Sequence, residues 1–463
     1  MNKPVCTISF DEGTLIVSGP DNALAPIRNE LTADNRLHVY RASAYRYEAI
    51  MRTLYREGIE VQDLARDYPA VPLQLHTAHT PMRHQAYALQ CWLDAKKRGV
   101  AVMPTGSGKT FFAFLAMQQI QRATLIVVPT IDLMLQWANQ LEKMFHIKAG
   151  LLGGGSKDIQ PVTVTTYDSA VIRMNEIGNR FGFIIFDECH HLPGEVNRTA
   201  ATMCLAPFRL GLTATPPDDC EVLQRVVGDI VCRIHIDELE GSVLAPYITQ
   251  RIFVPLDDDE LAEYQAARQT YVNFIRAHGV DFNQPDGWQR FMILCARMRG
   301  GHDAMQAWLK QRKIARCGRS KLDALWQIIR KNPHSRIIVF TADNDTAYSI
   351  GEALCLPVLT HHTKAAERKD FLDKFRSGEY SILVTSKVLN EGVDVPEASI
   401  GIVVSGSAGT REHIQRLGRI LRRTKDGKQA ILFELVSEGT SEMSVSERRR
   451  ANRAYMRKRG GQC

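Results

Sequence analysis

Long apolar runs, closely spaced cysteine pairs and a leader-like start are all missing from this 463-residue sequence. A membrane-spanning helix needs about 18 or more consecutive apolar residues, and no stretch approaches that length. The ten cysteines never occur two residues apart, which argues against a zinc ribbon and gives no sign of a disulfide framework. The start of the chain lacks the charged-then-apolar pattern of a secretory signal. We therefore expect a cytoplasmic protein in a reducing compartment, with no membrane partner.

An excess of positive charge is confined to one segment. Basic side chains number 58 and acidic side chains 51, so the formal net charge is +7. Residues 448–459 hold seven basic residues and no acidic ones, and they account for the whole excess. Such a tail can contact nucleic acid, although a charge run is more often a solvated helix end. With 44% hydrophobic and 24% charged residues, the chain has the composition of a globular protein, which excludes disorder as its main state.

The N-terminal part predicts a small α+β domain over residues 1–68. Two strand-like segments flank Asp11-Glu12-Gly13, a pattern typical of a hairpin. A helix is predicted next, with an apolar face made of Tyr47, Ile50, Met51 and Leu54. Arginines and tyrosines interleave over residues 40–56, a mixture that suits nucleic-acid stacking but equally suits an ordinary amphipathic helix. The three prolines of residues 69–81 indicate a linker.

Two later parts have the rhythm of parallel sheets. In residues 82–255 and again in residues 318–437, short apolar runs alternate with amphipathic stretches, which indicates strands covered on both faces by helices. Residues 256–317 have no strand-like run, and their acidic start and helical face predict a helical insert. Residues 438–463 contain the basic tail. The predicted fold class is α/β, with two parallel-sheet domains, the small α+β domain and the helical insert.

A glycine-rich loop predicts a nucleotide site. Residues 103–110 read MPTGSGKT after an apolar strand-like run. Lys109 would reach the β- and γ-phosphates, and Thr110 would hold Mg²⁺. Met103 replaces the usual first glycine, so the loop alone could be a glycine turn before a helix. The residues that would surround phosphate oxygens with backbone N–H groups are Thr105, Gly106, Ser107 and Gly108.

An acidic pair at a strand end strengthens this hypothesis. The segment FIIFDECH delivers Asp187 and Glu188 to the carboxyl edge of the sheet, where ligands bind in such folds. Asp187 suits Mg²⁺ coordination beside Thr110, and Glu188 suits polarising an attacking water. The two acids could instead cap the next helix.

A basic segment far downstream supplies positive charge. Gln415 begins the segment QRLGRILR, in which Arg419 and Arg422 stand three residues apart and so share a helix face. These arginines, from the second parallel-sheet domain, would meet the γ-phosphate of ATP as it leaves. Closure of the two domains would then depend on ATP, and hydrolysis could produce motion.

Five segments in one order resemble superfamily 2 helicases and translocases, above all the compact prokaryotic XPB-type DNA repair helicases. They are MPTGSGKT, DECH, LTATP, VLNEGVDVP and QRLGRILR, and with PMRHQ they span residues 83–422. The resemblance implies two RecA-like domains, ATP and Mg²⁺ as cofactors, DNA as the partner and a place in the prokaryotic cytosol or nucleoid. It also implies that residues 1–68 are a damage-recognition domain and residues 256–317 a "thumb".

The resemblance carries further roles onto matching positions. Arg83 and Gln85 match the adenine-side motif, and Gly392 and Asp394 match sensors of ATP and ribose. The element that links hydrolysis to nucleic-acid handling is matched by His190, Thr213 and Thr215. The strips that usually touch the nucleic-acid backbone are matched by Pro129, Thr130, Gln136, Thr166 and Tyr167.

One departure from the family affects the expected activity. Relatives usually carry Arg-Glu-Asp just after LTATP, implicated in strand separation, whereas this chain has Pro217-Asp218-Asp219-Cys220. The resemblance implies an ATP-driven translocase on double-stranded DNA, with 3′-to-5′ polarity and a place in nucleotide excision repair or related repair. The departure predicts that its unwinding is limited, and we expect a monomer. Two alternatives stay open: the motor of an RNA-remodelling, restriction or defence complex, and an ATP-gated DNA clamp that recruits a nuclease.

Overall fold

The computed structural model describes residues 5–217, 219–239, 247–282, 284–386, 398–406 and 430–450. The chain divides into two compact units, one ending at Glu238 and the other beginning at Leu239. Within the described ranges, no helix combines the length and the apolar character needed to cross a membrane.

The N-terminal domain is an antiparallel meander with one added parallel strand. Its strands are β1 (Val5–Asp11), β2 (Thr14–Ser18), β3 (Thr32–Asp34), β4 (Val39–Ser43) and β5 (Glu60–Leu64). Their order is β3-β4-β2-β1-β5, and only the β1–β5 pair is parallel. The helices are α1 (Asp21–Leu24) and α2 (Tyr47–Arg56), with 3₁₀ turns at Ala25–Glu30 and Ala44–Arg46.

Both local predictions for this domain are confirmed. The hairpin turns at Glu12 and Gly13, whose φ angles of 44° and 80° match the right-handed twist of the flanking strands. The predicted apolar face of α2 is buried at all four positions: Tyr47, Ile50, Met51 and Leu54.

An eight-stranded sheet forms the rest of the first unit. Its strands are β6 (Arg98–Val102), β7 (Thr124–Val128), β8 (Gly150–Gly153), β9 (Ser156–Lys157), β10 (Val162–Thr166), β11 (Phe183–Asp187), β12 (Phe208–Thr213) and β13 (Ile230–Arg233). Its helices are α3 (Arg83–Asp94), α4 (Lys109–Ile120), α5 (Ile131–Phe145), α6 (Tyr167–Ile177), α7 (Glu195–Thr202) and α8 (Glu221–Val226), and the short α9 (Ile236–Leu239) follows at the division between the units.

The strand order of this sheet is β13-β6-β12-β11-β7-β10-β8-β9. Pairing is parallel except for the β8–β9 hairpin. Strands β7, β10 and β11 are buried along their whole length, as expected for parallel strands covered on both faces.

The N-terminal domain shares its core with this sheet domain. Leu205, just after α7, is 1% exposed and belongs to the apolar core of the N-terminal domain. Asn179 ties the backbone across the boundary, because its Nδ2 donates to the Ala65 carbonyl (3.0 Å) and its own carbonyl accepts from the Asp67 N–H (2.9 Å). The connecting segment 69–81 is also held, since the Gln121 side chain bonds both the N–H and the carbonyl of Leu73.

The described residues of the second unit form a six-stranded sheet in which every pairing is parallel. Its strands are β14 (Tyr247–Val254), β15 (Ile337–Phe340), β16 (Val358–Leu359), β17 (Ile382–Thr385), β18 (Ile400–Val403) and β19 (Ala430–Ser437), in the order β14-β19-β18-β15-β17-β16. Its helices are α10 (Asp258–Ala277), α11 (Gly287–Arg297), α12 (Gly301–Cys317), α13 (Arg319–Lys331), α14 (Asn344–Leu354), α15 (Ala365–Ser377) and α16 (Glu442–Arg450).

Strand β14 corrects the boundary predicted at residue 255. Residues 247–254 are predicted to belong to the first parallel-sheet domain, but β14 pairs with β19 over eight residues and so lies in the second sheet. The reason is that its hydrogen-bonding partner is almost two hundred residues away in the chain. Apolar rhythm identifies such a strand without showing which sheet it joins.

The helical insert has its own aromatic core. Asp257 caps α10 by accepting from the Glu260 N–H (2.7 Å), in agreement with the predicted acidic start. Phe291 on α11 is fully buried, and the rings around it belong to Tyr271, Phe274, Phe282 and Trp288.

Candidate functional site

The sheet order of the first unit brings most of the predicted site residues to one edge. Strands β6, β12, β11, β7, β10 and β8 are successive neighbours in this parallel arrangement, so their carboxyl ends form one row. Along that row follow the loop 103–110, Thr213, the Asp187–Glu188 pair, the segment 129–130, and Thr166. The residues are up to 110 positions apart in the chain, and strand order alone makes them neighbours.

The glycine-rich loop has a backbone that only glycine adopts easily. Gly106 and Gly108 have φ angles of 84° and 82°. A Cβ added to Gly108 would lie 2.3 Å from Gln85 Nε2, so there is no room for a side chain. Lys109 begins α4, and its Nζ donates to the carbonyls of Met103 (3.3 Å) and Pro104 (3.5 Å), which holds the ammonium group over the loop.

Helix α3 supports the loop from the side. Gln85 is 4% exposed, and its Nε2 donates to the carbonyls of Ser107 (3.2 Å) and Gly108 (3.3 Å) while its Oε1 accepts from the Met82 N–H. His84 Nε2 also lies 2.8 Å from the Ser107 carbonyl, a contact that sequence reasoning missed. Arg83, the first residue of α3, is exposed. Gln85 therefore positions the loop as well as lying where the adenine-side motif is expected.

The acidic pair ends β11 in a constrained geometry. Asp187 is 7% exposed, and its Oδ1 accepts from the Glu188 N–H (3.0 Å). Glu188 takes a left-handed conformation, φ 47° and ψ 52°, which is uncommon for a residue with a side chain and is often found at functional sites. Burial and the adjacent Glu188 carboxylate raise the pKa of Asp187 to about 6, despite the opposing effects of Lys109 and of a hydrogen bond from Trp137. A cation beside Asp187 would favour the ionised form.

A buried link joins this strand end to the next one. His190 Nδ1 lies 3.0 Å from Thr213 Oγ1 and 3.4 Å from Glu188 Oε2. Thr213 Oγ1 donates to the Thr215 carbonyl (3.0 Å) and accepts from the Thr215 N–H (3.2 Å), which leaves the ring nitrogen as the donor to it. Thr213 also accepts, through its carbonyl, from the Met103 N–H at the start of the loop (2.9 Å). The predicted coupling residues are thus in contact with one another and with the loop strand.

Two buried aromatic side chains form hydrogen bonds to Asp187, and the sequence did not predict these contacts. Trp137 on α5 donates from Nε1 to Asp187 Oδ2 (2.9 Å), and the Tyr167 hydroxyl donates to the Asp187 carbonyl (3.1 Å). Trp137 is 2% exposed and Tyr167 is 3% exposed. Tyr167 stood among the predicted nucleic-acid contacts, but its side chain is turned inward.

Helices α5 and α6 begin at the same edge. Thr130 and Thr166 are their N-caps, and each accepts at Oγ1 from the N–H three residues on (3.3 Å in both cases). Pro129 and Gln136 are half-buried beside them. The N–H groups at two helix starts make a surface suited to anionic phosphates.

A glycine turn beside these helix starts also escaped the sequence analysis. Gly153, Gly154 and Gly155 have φ angles of 144°, 57° and 90°. A Cβ on Gly153 would approach Ser169 Oγ and Thr166 Oγ1 to 3.1 and 3.2 Å, so the turn lies close to the start of α6. Together with Lys157 and Arg173 the turn lines a cavity of about 280 Å³. The run LLGGGSK, residues 151–157, is the feature of the sequence from which this turn could have been predicted.

The donors present fit a nucleotide with a divalent cation. Thr105 Oγ1 is buried and, among the described residues, finds no hydrogen-bond partner, so a phosphate oxygen would satisfy it. The loop adds N–H groups, the Lys109 ammonium and the Thr110 hydroxyl at the start of α4. Thr110 and Asp187 are hard oxygen ligands of the kind that Mg²⁺ takes. Five predicted residues lie outside the described ranges: Gly392, Asp394, Gln415, Arg419 and Arg422.

The interleaved arginines of the N-terminal domain have carboxylate partners. The pairs are Arg41 with Asp34 and Asp11, Arg46 with Glu30, Arg52 with Glu48, and Arg56 with Glu57. Tyr47 is buried and its hydroxyl donates to Asp63 Oδ2 (2.6 Å). These pairings favour the amphipathic-helix interpretation over a nucleic-acid surface.

Three family models match successive parts of the chain. The Xeroderma pigmentosum group B helicase damage recognition domain matches residues 8–82. The res subunit of type III restriction enzymes matches residues 78–218. The ERCC3/RAD25/XPB C-terminal helicase matches residues 304–458.

Known relatives extend over most of the chain. It is 39% identical over 420 residues to the DNA 3'-5' translocase XPB2 of Sulfurisphaera tokodaii, covering 90% of this chain and 94% of that one. It is 29% identical over 456 residues to the DNA 3'-5' helicase XPB of Mycobacterium tuberculosis, covering 96% and 76%. The Hef helicase domain of Pyrococcus furiosus, a crystal structure, shares the fold with a TM-score of 0.53 at 19% identity, covering 78% of this chain and 97% of that one. The resemblance is therefore confirmed, and the chain belongs to the XPB family of superfamily 2 helicases.

Proposed function

We propose that this protein is an ATP-driven translocase on double-stranded DNA, with limited 3′-to-5′ unwinding, that acts in nucleotide excision repair or a related repair pathway. The observation that carries the proposal is the single sheet edge where the phosphate loop, the Asp187–Glu188 pair and the His190–Thr213 link lie on neighbouring strand ends. The names of two relatives, a DNA 3'-5' translocase and a DNA 3'-5' helicase, support the substrate and the polarity.

The hydrolytic roles follow from the chemistry of each group. The loop N–H groups and Lys109 bind the phosphates, while Gln85 keeps the loop in shape. Thr110 and Asp187 would hold Mg²⁺, which neutralises phosphate charge when bound. Glu188, held by its left-handed backbone, orients and polarises the attacking water.

Residues outside the described ranges complete the proposed site. Arg419 and Arg422, in the segment that begins at Gln415, supply positive charge to the γ-phosphate as it leaves. Gly392 and Asp394 respond to the nucleotide and its ribose. These four roles rest on the motif match of the sequence.

Nucleic acid binds along the same edge through its backbone. The helix starts at Thr130 and Thr166 present N–H groups and hydroxyls, the glycine turn 153–155 adds backbone N–H groups, and Pro129 and Gln136 lie beside them. Contacts of this kind read phosphates and sugars rather than base edges, so we expect weak sequence preference.

The test is the steady-state ATPase rate without polymer and with single-stranded DNA, double-stranded DNA or RNA. We expect DNA to stimulate hydrolysis more strongly than RNA does. Lys109→Ala and Glu188→Gln should each lower the stimulated rate by about 100-fold or more, because each removes a charge that acts in the transition state. Stimulation by RNA alone, or near-normal turnover in either variant, would overturn the proposal.

A second candidate is an ATP-gated DNA clamp that recruits a nuclease partner. Its support is the segment after LTATP, where Pro217 and Asp219 stand in place of the arginine-containing motif. Strand displacement on a forked duplex separates the two candidates. A translocase with limited unwinding displaces a short strand, whereas a clamp hydrolyses ATP without displacing one.

A further inference from the structure

We propose that Trp137 and Tyr167 are positioning residues that hold Asp187 in its working geometry and make that geometry respond to nucleic acid at the starts of α5 and α6. The inference deepens the proposed function and rests on it, since it concerns regulation of the same site. It begins from the two hydrogen bonds by which these side chains reach Asp187 from two different helices.

The Asp187 carboxylate is oriented from both sides. Its Oδ1 accepts from the Glu188 N–H (3.0 Å), a local contact, and its Oδ2 accepts from Trp137 Nε1 (2.9 Å), fifty residues away. A carboxylate that ligates a cation depends on such outer hydrogen bonds for its orientation. The hydrogen bond from Trp137 comes from α5 and not from the chain next to Asp187, so a shift of α5 changes this hydrogen bond directly.

The backbone at Asp187 is tied to a second helix. The Tyr167 hydroxyl donates to the Asp187 carbonyl (3.1 Å) at the point where β11 ends and Glu188 turns into the left-handed region. Tyr167 is the first residue of α6, immediately after the N-cap Thr166. A contact at the start of α6 therefore lies one residue from the side chain that holds the catalytic backbone.

Trp137 is also packed so that it transmits movement. It lies on α5 about two turns after the N-cap Thr130, and its ring meets Phe114 edge-on, with centroids 5.6 Å apart at 88°. Phe114 belongs to α4, the helix that begins at Lys109. Because close-packed side chains resist small displacements, α5 cannot move relative to the sheet without disturbing Asp187 or the phosphate-loop helix.

Helices α5 and α6, whose starts are proposed to contact the nucleic-acid backbone, thus each carry a buried side chain that hydrogen-bonds to Asp187. Binding at either start has a short, rigid route to the cation ligand. The route differs from the His190–Thr213 link, which reaches Glu188 and the loop from β12 instead.

The chain offers a matched control for the test. Trp92 is fully buried in the same sheet domain, and its Nε1 donates to the Arg209 carbonyl at 3.0 Å. Trp92→Phe and Trp137→Phe each remove one indole donor from a buried site while keeping an aromatic ring. Only the second donor reaches Asp187. Tyr167→Phe, which removes a single hydroxyl, provides a second variant if Trp137→Phe does not fold.

Two measurements are made on the full chain and on each variant. The first is calorimetric binding of Mg²⁺ in the presence of a non-hydrolysable ATP analogue. The second is the ATPase rate against Mg²⁺ concentration, with and without double-stranded DNA. We expect Trp137→Phe to weaken Mg²⁺ binding about 10-fold or more and to reduce the stimulation by DNA, because outer-shell partners of metal ligands have effects of this size. Tyr167→Phe should reduce the stimulation in the same direction.

Several outcomes would decide against the inference. Equal Mg²⁺ binding and equal stimulation in Trp137→Phe and wild type would overturn it, as would the same changes in Trp92→Phe, which would indicate a general packing effect. If wild type itself shows no stimulation by DNA while Lys109→Ala abolishes turnover, the proposed function fails rather than the positioning role, and the Mg²⁺ titration still tests the latter.

Discussion

Gly108 is the position where the phosphate loop tolerates no side chain, for two separate reasons. Its φ angle of 82° is in the left-handed region, and an added Cβ would meet Gln85 Nε2 at 2.3 Å. Gln85 cannot simply retreat, because it bonds the Ser107 and Gly108 carbonyls and the Met82 N–H at once. The collision therefore displaces the side chain that supports the loop.

We predict that Gly108→Ala lowers ATP affinity about 10-fold or more while the fold persists, which titration with a fluorescent ATP analogue would measure. Backbone strain alone costs about 1–2 kcal/mol, and the collision adds a local rearrangement of the loop. Gly58→Ala is the control, since Gly58 has a similar φ of 68° and no described atom within 4 Å of its added Cβ. Unchanged ATP affinity in Gly108→Ala would contradict the close fit between Gln85 and the loop.

At the scale of elements, the N-terminal domain and the first parallel-sheet domain form a continuous structure. Leu205 follows α7 yet lies in the N-terminal core, and its N–H donates to the Gly178 carbonyl (2.9 Å). Arg98 at the start of β6 forms an ion pair with Glu48 on α2, with 3.6 Å between Nη1 and Oε2. We infer that the two domains gain stability from each other and open together.

We predict that Leu205→Ala destabilises both domains, by about 2–5 kcal/mol for a buried leucine that leaves a cavity. Hydrogen exchange read by mass spectrometry should show parallel loss of protection in β1–β5 and in the strands around β11. Leu37→Ala is the control, because Leu37 is 55% exposed and should change stability by less than about 0.5 kcal/mol. Loss of protection confined to the N-terminal strands would show that the domains open separately.

At the scale of the whole molecule, the distribution of charge along the chain affects its affinity for DNA. The net charge of +7 is carried by the tail 448–459, while the remaining basic and acidic residues balance. Each phosphate that a protein neutralises contributes about 0.9 to the slope of log affinity against log salt. The excess positive charge of the chain is therefore concentrated in the tail.

We predict that deletion of residues 448–463 weakens DNA affinity about 3-fold at low salt. The slope of log affinity against log salt should change by no more than about 0.9, the contribution of one phosphate contact. Fluorescence anisotropy of a labelled duplex at several salt concentrations would measure both. A variant with the seven basic residues changed to glutamine separates charge from length. Unchanged affinity at low salt would show that the tail does not contribute to DNA binding.

The sequence by itself determined the main strands of the first parallel sheet and the family. Apolar runs bounded by turns predicted β6, β7, β10, β11 and β12, and the glycines, the lysine and the paired acids each have chemistry that can be read from a few adjacent residues. The predicted residues of the first unit then fell at one edge because a parallel sheet collects its carboxyl ends there. The strand and family predictions succeeded since each depends on local order along the chain, while the roles of the loop and of the paired acids stay predictions.

Only the tertiary structure decided which distant residues meet. Trp137 has no role predicted from the sequence and Tyr167 matches a nucleic-acid contact through the family resemblance, but both side chains hydrogen-bond to Asp187. The same holds for β14, whose sheet depends on a partner far along the chain, and for Arg41 and Arg46, which pair with carboxylates from other segments. A hydrogen bond between residues fifty positions apart leaves no periodicity in the sequence, because its geometry arises only when strand order and helix packing bring the two groups together.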